Sequence, residues 1–295
     1  MLRILTFLFL FIFQNSYSQK NLDSLNWANA SLQKEKLRNG LTHKTYRFSN
    51  KDCLGLNENI NILEVKSKTK KLRFGLASAD IYSDPNPFGG TLKRTSEIAQ
   101  TIGAIAAVNA GFFDMKNGGA VDYIKIENRV YDTSRVSAKQ RLPFKQAISA
   151  LTINQNKVKI IKGEKEKGWE EQINAEFVLL TGPLLLSQNE AQSLAKTAFN
   201  ENRHPRTCAC LTNSKKLMLV TVDGRAAESE GLSLPELTKI LKSLDCKDAI
   251  NFDGGGSTTM YIAGKPENGV VNYPSDNKKF DHHGERSVSN IFYIK

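Results

Sequence analysis

Ile250-Asn251-Phe252-Asp253-Gly254-Gly255-Gly256-Ser257-Thr258-Thr259-Met260-Tyr261-Ile262 carries the reading of the fold. An apolar stub enters, three glycines turn the chain, and a second apolar stub leaves. Glycines after a strand allow positive φ and let a ligand approach the backbone closely. The residues just upstream, Leu234 to Leu244, show helical spacing. Ser233 and Glu236 make a capping box at their start, and Pro235 is tolerated in the first turn. Further upstream, 207–212 and 217–222 read as a hairpin reversing at Asn213-Ser214-Lys215. Helix 234–244 then lies between two strands and implies one crossover.

Strand patterns continue in both directions. Residues 60–65, 72–79, 104–109, 123–131, 147–153, 158–161, 177–180, 259–262 and 287–294 are alternating or continuously apolar. Residues 95–102 read as a short amphipathic helix. Residues 19–58 are polar, without a firm period, and read as a lead-in with one short helix at most. The expected fold is therefore α+β, or mixed α/β: a single domain over 59–295 with a mostly antiparallel or mixed sheet and a few flanking helices. No internal repeat or Pro/Gly/Ser-rich linker divides it.

The N-terminus has the layout of a secretory signal peptide over residues 1–18. Arg3 precedes an apolar run, Ile4 to Phe13, and small residues Ser16 and Ser18 mark a cleavage site. The run is shorter than the roughly 20 residues that a membrane span needs. The expectation is an exported protein, periplasmic or secreted, with no transmembrane segment after signal removal. A composition of 40% hydrophobic and 24% charged residues is that of an ordinary globular chain. A net charge of +11 is consistent with anionic partners and equally with general solubility. Its lysines are scattered and no basic run is interleaved with aromatics, so nucleic acid is not expected. Four cysteines, Cys53, Cys208, Cys210 and Cys246, enter a compartment that permits disulfides. Their pairing stays open, with buried free thiols favoured for at least two. Cys208 and Cys210 share a strand face, at or beyond the limit for bridging each other.

Polar residues cluster where strands end. Asp253 sits at the mouth of the glycine turn. The amides of Gly254, Gly255, Gly256 and Ser257 can form an anion-binding concavity, a reading favoured over a tight structural turn because three glycines exceed what an ordinary hairpin needs. Arg206, beside Thr207, can fork onto a phosphate. Asp223-Gly224-Arg225 ends the partner strand of the same hairpin, so an ion pair closing that hairpin is equally consistent. Asn109 and Asp114 close an apolar strand. Asp276 and Arg286 flank a loop holding His282 and His283, whose adjacent side chains point apart and read as solvated.

Taken in order, Asn109-Ala110-Gly111-Phe112-Phe113, Gly182-Pro183, Arg206-Thr207, Asp223-Gly224-Arg225, Asn251 to Ser257, Pro274-Ser275-Asp276 and the closing Arg286 and Asn290 resemble the phosphodiester glycosidase domain family from about residue 60 onward. Cys208-Ala209-Cys210 stands where that family more often has small aliphatic residues. The resemblance implies hydrolysis of the glycosidic bond of a sugar-1-phosphodiester, such as N-acetylglucosamine-1-phospho-glycan, with a phosphorylated glycan or sugar-nucleotide-like molecule as substrate. Asp253, Asp223 and Arg206 are then the expected catalytic residues. Asn109, Gly254, Gly255, Gly256, Ser257, Thr207, Arg286 and Asp276 are the expected substrate-binding ones. This chemistry requires no cofactor. The alternatives are a metal-assisted phosphodiesterase, with Asp253, Asp223 and Asp114 holding a divalent cation, and a noncatalytic glycan-binding module of the cell envelope.

Overall fold

A computed structural model describes residues 30–49, 55–66, 71–80, 90–132, 149–164 and 168–295. The expected signal segment and Cys53 lie outside the described residues. An eight-stranded sheet forms the backbone of the molecule, in the order Ser31–Arg38, Leu41–Phe48, Glu58–Val65, Leu217–Val222, Arg206–Thr212, Cys246–Asn251, Leu184–Ser187 and Glu190–Ala191. A five-stranded sheet is built on Ser149–Asn154 and Phe177–Leu180. A four-stranded sheet sets Met260–Ile262, Ala106–Asn109, Asn290–Ile294 and Phe74–Ser78 side by side. Three α-helices occur among the described residues: α1 (Thr95–Thr101), α2 (Ala198–Glu201) and α3 (Leu234–Ser243).

The expected α+β class is overturned. Strand accounts for 43% against 14% helix, and every strand pairing among the described residues is antiparallel. The crossover through α3 is real, and its geometry explains why it does not make an α/β fold. Strands 217–222 and 246–251 run the same way, but 206–212 lies between them, antiparallel to both. The helix thus spans an intervening strand and creates no parallel pair. Residues 31–48, expected as a polar lead-in with at most one helix, form a hairpin. Its second strand pairs residue by residue with 58–65.

Side-chain alternation assigns the two faces of the large sheet. Ile60, Ile62, Cys208, Val220 and Ala249 face α3, whose Leu234, Leu237, Ile240 and Leu241 cover them. Leu63, Leu219, Ala209 and Ile250 face the other way, into the main core shared with Leu151 and Leu179 of the five-stranded sheet and Val108 and Phe292 of the four-stranded one. α1 covers the far side of the four-stranded sheet through Ile98 and Ala99.

Two residues along from the row Leu63–Leu219–Ala209, the core-facing side becomes polar. Thr45, Asn61, Thr221 and Thr207 stand in register across four adjacent strands, all buried. The site is built at this polar end. Cys210 and Cys246 form a disulfide, with Cα atoms 5.8 Å apart, that ties two neighbouring strands together. Cys208 is a buried free thiol, and burial raises its pKa.

Candidate active site

The chain reaches Asp253 from strand 246–251. Phe252 N–H donates to Thr207 O at 2.8 Å, and Asp253 N–H to Ala110 O at 2.9 Å. Asn109 fixes the same point from below: its Nδ2 donates to Asp253 O at 2.6 Å. Its Oδ1 accepts from Thr207 Oγ1 at 2.7 Å and from Thr259 N–H at 3.1 Å. Asn109 and Thr207, expected to bind substrate, are therefore placed as fully buried supports for the Asp253 backbone. An apolar strand ending in asparagine holds the turn because every polar atom of that side chain has a buried partner.

The Asp253 carboxylate is half-buried, and its pKa is raised to about 6. Burial is the main cause, since packing protein round a carboxylate penalises its charged form. Gly254 N–H, donating at 2.9 Å, and the positive charge of Arg286 oppose the rise. Ser257 Oγ is close enough to act in the same direction without meeting hydrogen-bond geometry. A carboxylate poised between its two protonation states near neutral pH is a common property of reacting groups.

Most amides of the expected anion concavity are used within the turn itself. Gly254, Gly255 and Ser257 donate their N–H groups to Asp253, Pro205 O and Gly254 O, so these amides are already committed. What the glycines provide is room. A Cβ on Gly255, which also has φ +62°, would stand 3.0 Å from Arg225 Nη2. A Cβ on Gly256 would overlap Asp276 and stand 2.5 Å from Arg286 Nη2. Two guanidinium groups thus lie directly on the turn's backbone, Arg225 at Gly255 and Arg286 at Gly256. Arg286 is held by Asp276 Oδ1, with Nη2 at 2.5 Å and Nε at 3.1 Å. Arg225 is exposed and makes no hydrogen bond or ion pair among the described residues.

Arg206 is placed elsewhere. It is buried, with Nε donating to Leu232 O at 2.9 Å and Nη2 to Phe199 O at 2.7 Å and Asn202 O at 2.9 Å. Burial, assisted by the charge of Arg225, lowers its pKa to about 10, so it remains a cation at neutral pH. Its guanidinium ties α2 to the segment before α3. The sequence named Arg225 only as part of its tripeptide. The missed signal was its position one residue beyond the glycine, outside the strand, where a side chain escapes burial.

Asp223 is fully buried. It accepts from Asn59 Nδ2 at 2.5 Å, Asn272 Nδ2 at 2.8 Å and Tyr273 N–H at 2.9 Å, and burial raises its pKa despite these donors. Glu58, also buried, lies close enough for the two charges to oppose each other; its pKa is well above normal, chiefly through desolvation. It accepts from Ser229 Oγ and from the N–H groups of Gly231 and Asn59. Asn272 joins this node to the turn by donating to Thr258 O. Neither Glu58 nor Asn272 carries a local sequence signal, because the contacts that join them to this node, Ser229 and Gly231 for Glu58 and Asp223 for Asn272, are distant in the chain. Asp114 instead closes its own loop, accepting from Lys116 and Asn117. Among the described residues, no three His, Cys, Asp or Glu side chains are grouped to hold a metal, so the structure does not bring Asp253, Asp223 and Asp114 together.

The fold and this strand-end site define a class before they define a family. Over 95% of this chain and 94% of the other, the structure matches the zebrafish N-acetylglucosamine-1-phosphodiester alpha-N-acetylglucosaminidase catalytic domain auto-inhibited by pro-peptide, with a TM-score of 0.67 and 19% identity. A hypothetical protein from Synechocystis gives a TM-score of 0.66 at 14% identity, covering 90% of this chain and 63% of that one. The bovine N-acetylglucosamine-1-phosphodiester alpha-N-acetylglucosaminidase is 24% identical over 212 residues, 68% of this chain and 39% of the relative. The chain spans about two fifths of the length of the curated relatives of that name. Residues 102–295 match the phosphodiester glycosidase family. The chain belongs to that family of glycosidase-type hydrolases, and the matched stretch contains Asp253, Arg225, Arg286, Asp276 and Asn109.

Proposed function

We propose that the protein is an exported hydrolase that cleaves the glycosidic C–O bond of a sugar-1-phosphodiester, releasing free sugar and a phosphomonoester. The observation that carries this reading is the half-buried Asp253 carboxylate beside a turn on which Arg225 and Arg286 both rest. The reaction breaks the bond from the anomeric carbon to the bridging oxygen, whose electron pair leaves with the phosphate. Water supplies hydroxide to the anomeric carbon and a proton to the site. A phosphomonoester has a second pKa of about 6, so it departs largely unprotonated and needs little help from a general acid. Ordinary glycosidases pair two carboxyl groups. Here one carboxylate, Asp253, meets the oxocarbenium-like centre or takes the proton of the attacking water, while the two arginines stabilise the charge on the leaving phosphate. Asp276 holds Arg286 in place, and Asn109 holds the backbone of Asp253.

The names of the relatives point to N-acetylglucosamine phosphodiesters as the first substrates to try. Purified protein is incubated with UDP-N-acetylglucosamine and model sugar phosphodiesters in isotope-labelled water. The expected products are labelled free sugar and unlabelled phosphomonoester. Label in the phosphate would show P–O cleavage and overturn the mechanism; binding without turnover across the panel would overturn the enzyme. Mass determination of the protein recovered from its native host, beginning at Gln19, checks export.

A further inference from the structure

A cavity of about 310 Å³ opens between the hairpin 31–48 and the segment 265–282. None of Asp253 to Ser257, Arg225 or Arg286 lines it. We propose that this cavity is a separate binding site for an anionic monosaccharide unit, a sugar bearing a phosphate or a carboxylate. It goes beyond the hydrolytic reading and does not depend on it.

Charge supplies the first argument. Of the charged groups lining the cavity, Lys265 pairs with Glu35, and Glu267 lies 3.1 Å from His283. Lys34 and Arg47 have no carboxylate partner among the described residues; Arg47 Nη2 donates only to the neutral Tyr273 hydroxyl, at 3.3 Å. The uncompensated charge at the cavity is positive, and a guanidinium with a free edge suits a phosphate or carboxylate.

The walls supply the second. Tyr273 is stacked against Phe280, with centroids 3.9 Å apart, and against His282, at 4.4 Å, so this side is a rigid block of rings. Val270 and Val271 add an aliphatic patch. His43 and Thr45 line the hairpin side and are buried. Both are fixed by Asn61 Oδ1, at 3.1 and 2.9 Å. A free inorganic anion would leave the apolar patch wet. A sugar ring has C–H faces for that patch and hydroxyls for the polar edge, and the volume lies at the small end of ligand sites. The wall is also built rather than incidental. Tyr273 N–H holds the buried Asp223, and His282 Nδ1 bonds Asn272 O at 2.6 Å.

The test is calorimetric titration of the full chain with glucose 6-phosphate, glucuronate, glucose and inorganic phosphate. Saturable binding of glucose 6-phosphate or glucuronate is expected, and the one that binds identifies the anionic group. Arg47→Ala should weaken it about tenfold, and Lys34→Ala should weaken it in the same direction. Lys34 lies on an exposed strand, so Lys34→Ala remains readable if Arg47→Ala fails to fold. Asp253→Asn should bind as the wild type does, which separates this site from the hydrolytic one. Three results would overturn the proposal: no saturable binding, glucose or inorganic phosphate binding as tightly as the sugar anions, or binding lost in Asp253→Asn and kept in Arg47→Ala.

Discussion

Under the proposed reaction, Asp253 and its two arginines should make turnover depend on pH in a defined direction. With its pKa near 6, Asp253 is ionised above that value and neutral below it. If the carboxylate is the reacting form, kcat/KM rises with pH through an apparent pKa near 6. Asp253→Asn should remove turnover while the fold survives. Arg286 holds that pKa down, so Arg286→Gln should move the acidic limb upward as well as slow the reaction. A limb that stays in place in this variant would remove Arg286 from the carboxylate's surroundings. The two hairpin-end arginines should separate cleanly. Arg225→Ala should leave the melting temperature alone and lower kcat/KM about a hundredfold, the scale for one lost oxyanion-type donor. Arg206→Met should do the reverse. It orphans three backbone carbonyls at a cost of about 2–4 kcal/mol, read as a lower melting temperature in a protein with normal KM. The sequence singled out Arg206 at this hairpin end, whereas the structure ties that side chain to backbone carbonyls and leaves Arg225 exposed. Strand position alone does not show whether a side chain turns outward to a ligand or inward to carbonyls.

At the scale of elements, the unit 206–251 is where local sequence and structure agree best. The Ser233–Glu236 capping box forms as the sequence predicts, with Glu236 N–H donating to Ser233 Oγ at 3.3 Å. The hairpin 206–212/217–222 also reverses where expected. The disulfide then closes this unit across 36 residues of chain. A cross-link of that span restrains the unfolded chain by about 3–4 kcal/mol. Cys210→Ser with Cys246→Ser should lower the melting temperature accordingly, and a reducing agent should lower the wild type to the same value. A double variant melting with the oxidised wild type would show that the bridge contributes nothing. The first hairpin was less legible. Ser31–Arg38 is an exposed, lysine-rich edge strand with little apolar alternation, and charge of that kind is how edges avoid further pairing. Its pairing is imposed by the next strand, whose buried Leu41, Tyr46 and Phe48 dock it on the sheet.

Over the whole molecule, the Glu58–Asp223 node links the interior strand 58–65 to segment 229–231 and to Asn272 beside the turn. Both carboxyls have pKa values above their ordinary ones, so the folded chain holds these protons more tightly than the unfolded chain. Their contribution to stability is complete below the ordinary carboxylate range, about pH 4, and is lost as pH rises through the raised values. The melting temperature should therefore fall with rising pH over that window. Glu58→Gln, which keeps an acceptor for Ser229 and removes the charge, should flatten the fall. Parallel curves for variant and wild type would rule the node out as the cause.

The sequence alone determined the strand pattern, the capped helix, the single crossover and the order of polar strand ends, because these follow from spacing along the chain. Asp253 and Arg286 could be singled out for that reason: one ends a strand at a glycine turn, the other precedes the closing strands. Only the tertiary structure decided that the crossover skips a strand, leaving every pairing among the described residues antiparallel. It also decided that the glycines make room for guanidinium groups, that Arg225 and not Arg206 faces outward, and that Asp223 is buried beside Glu58. Each of these depends on residues far apart in sequence meeting at one end of the large sheet, where no local period records the contact.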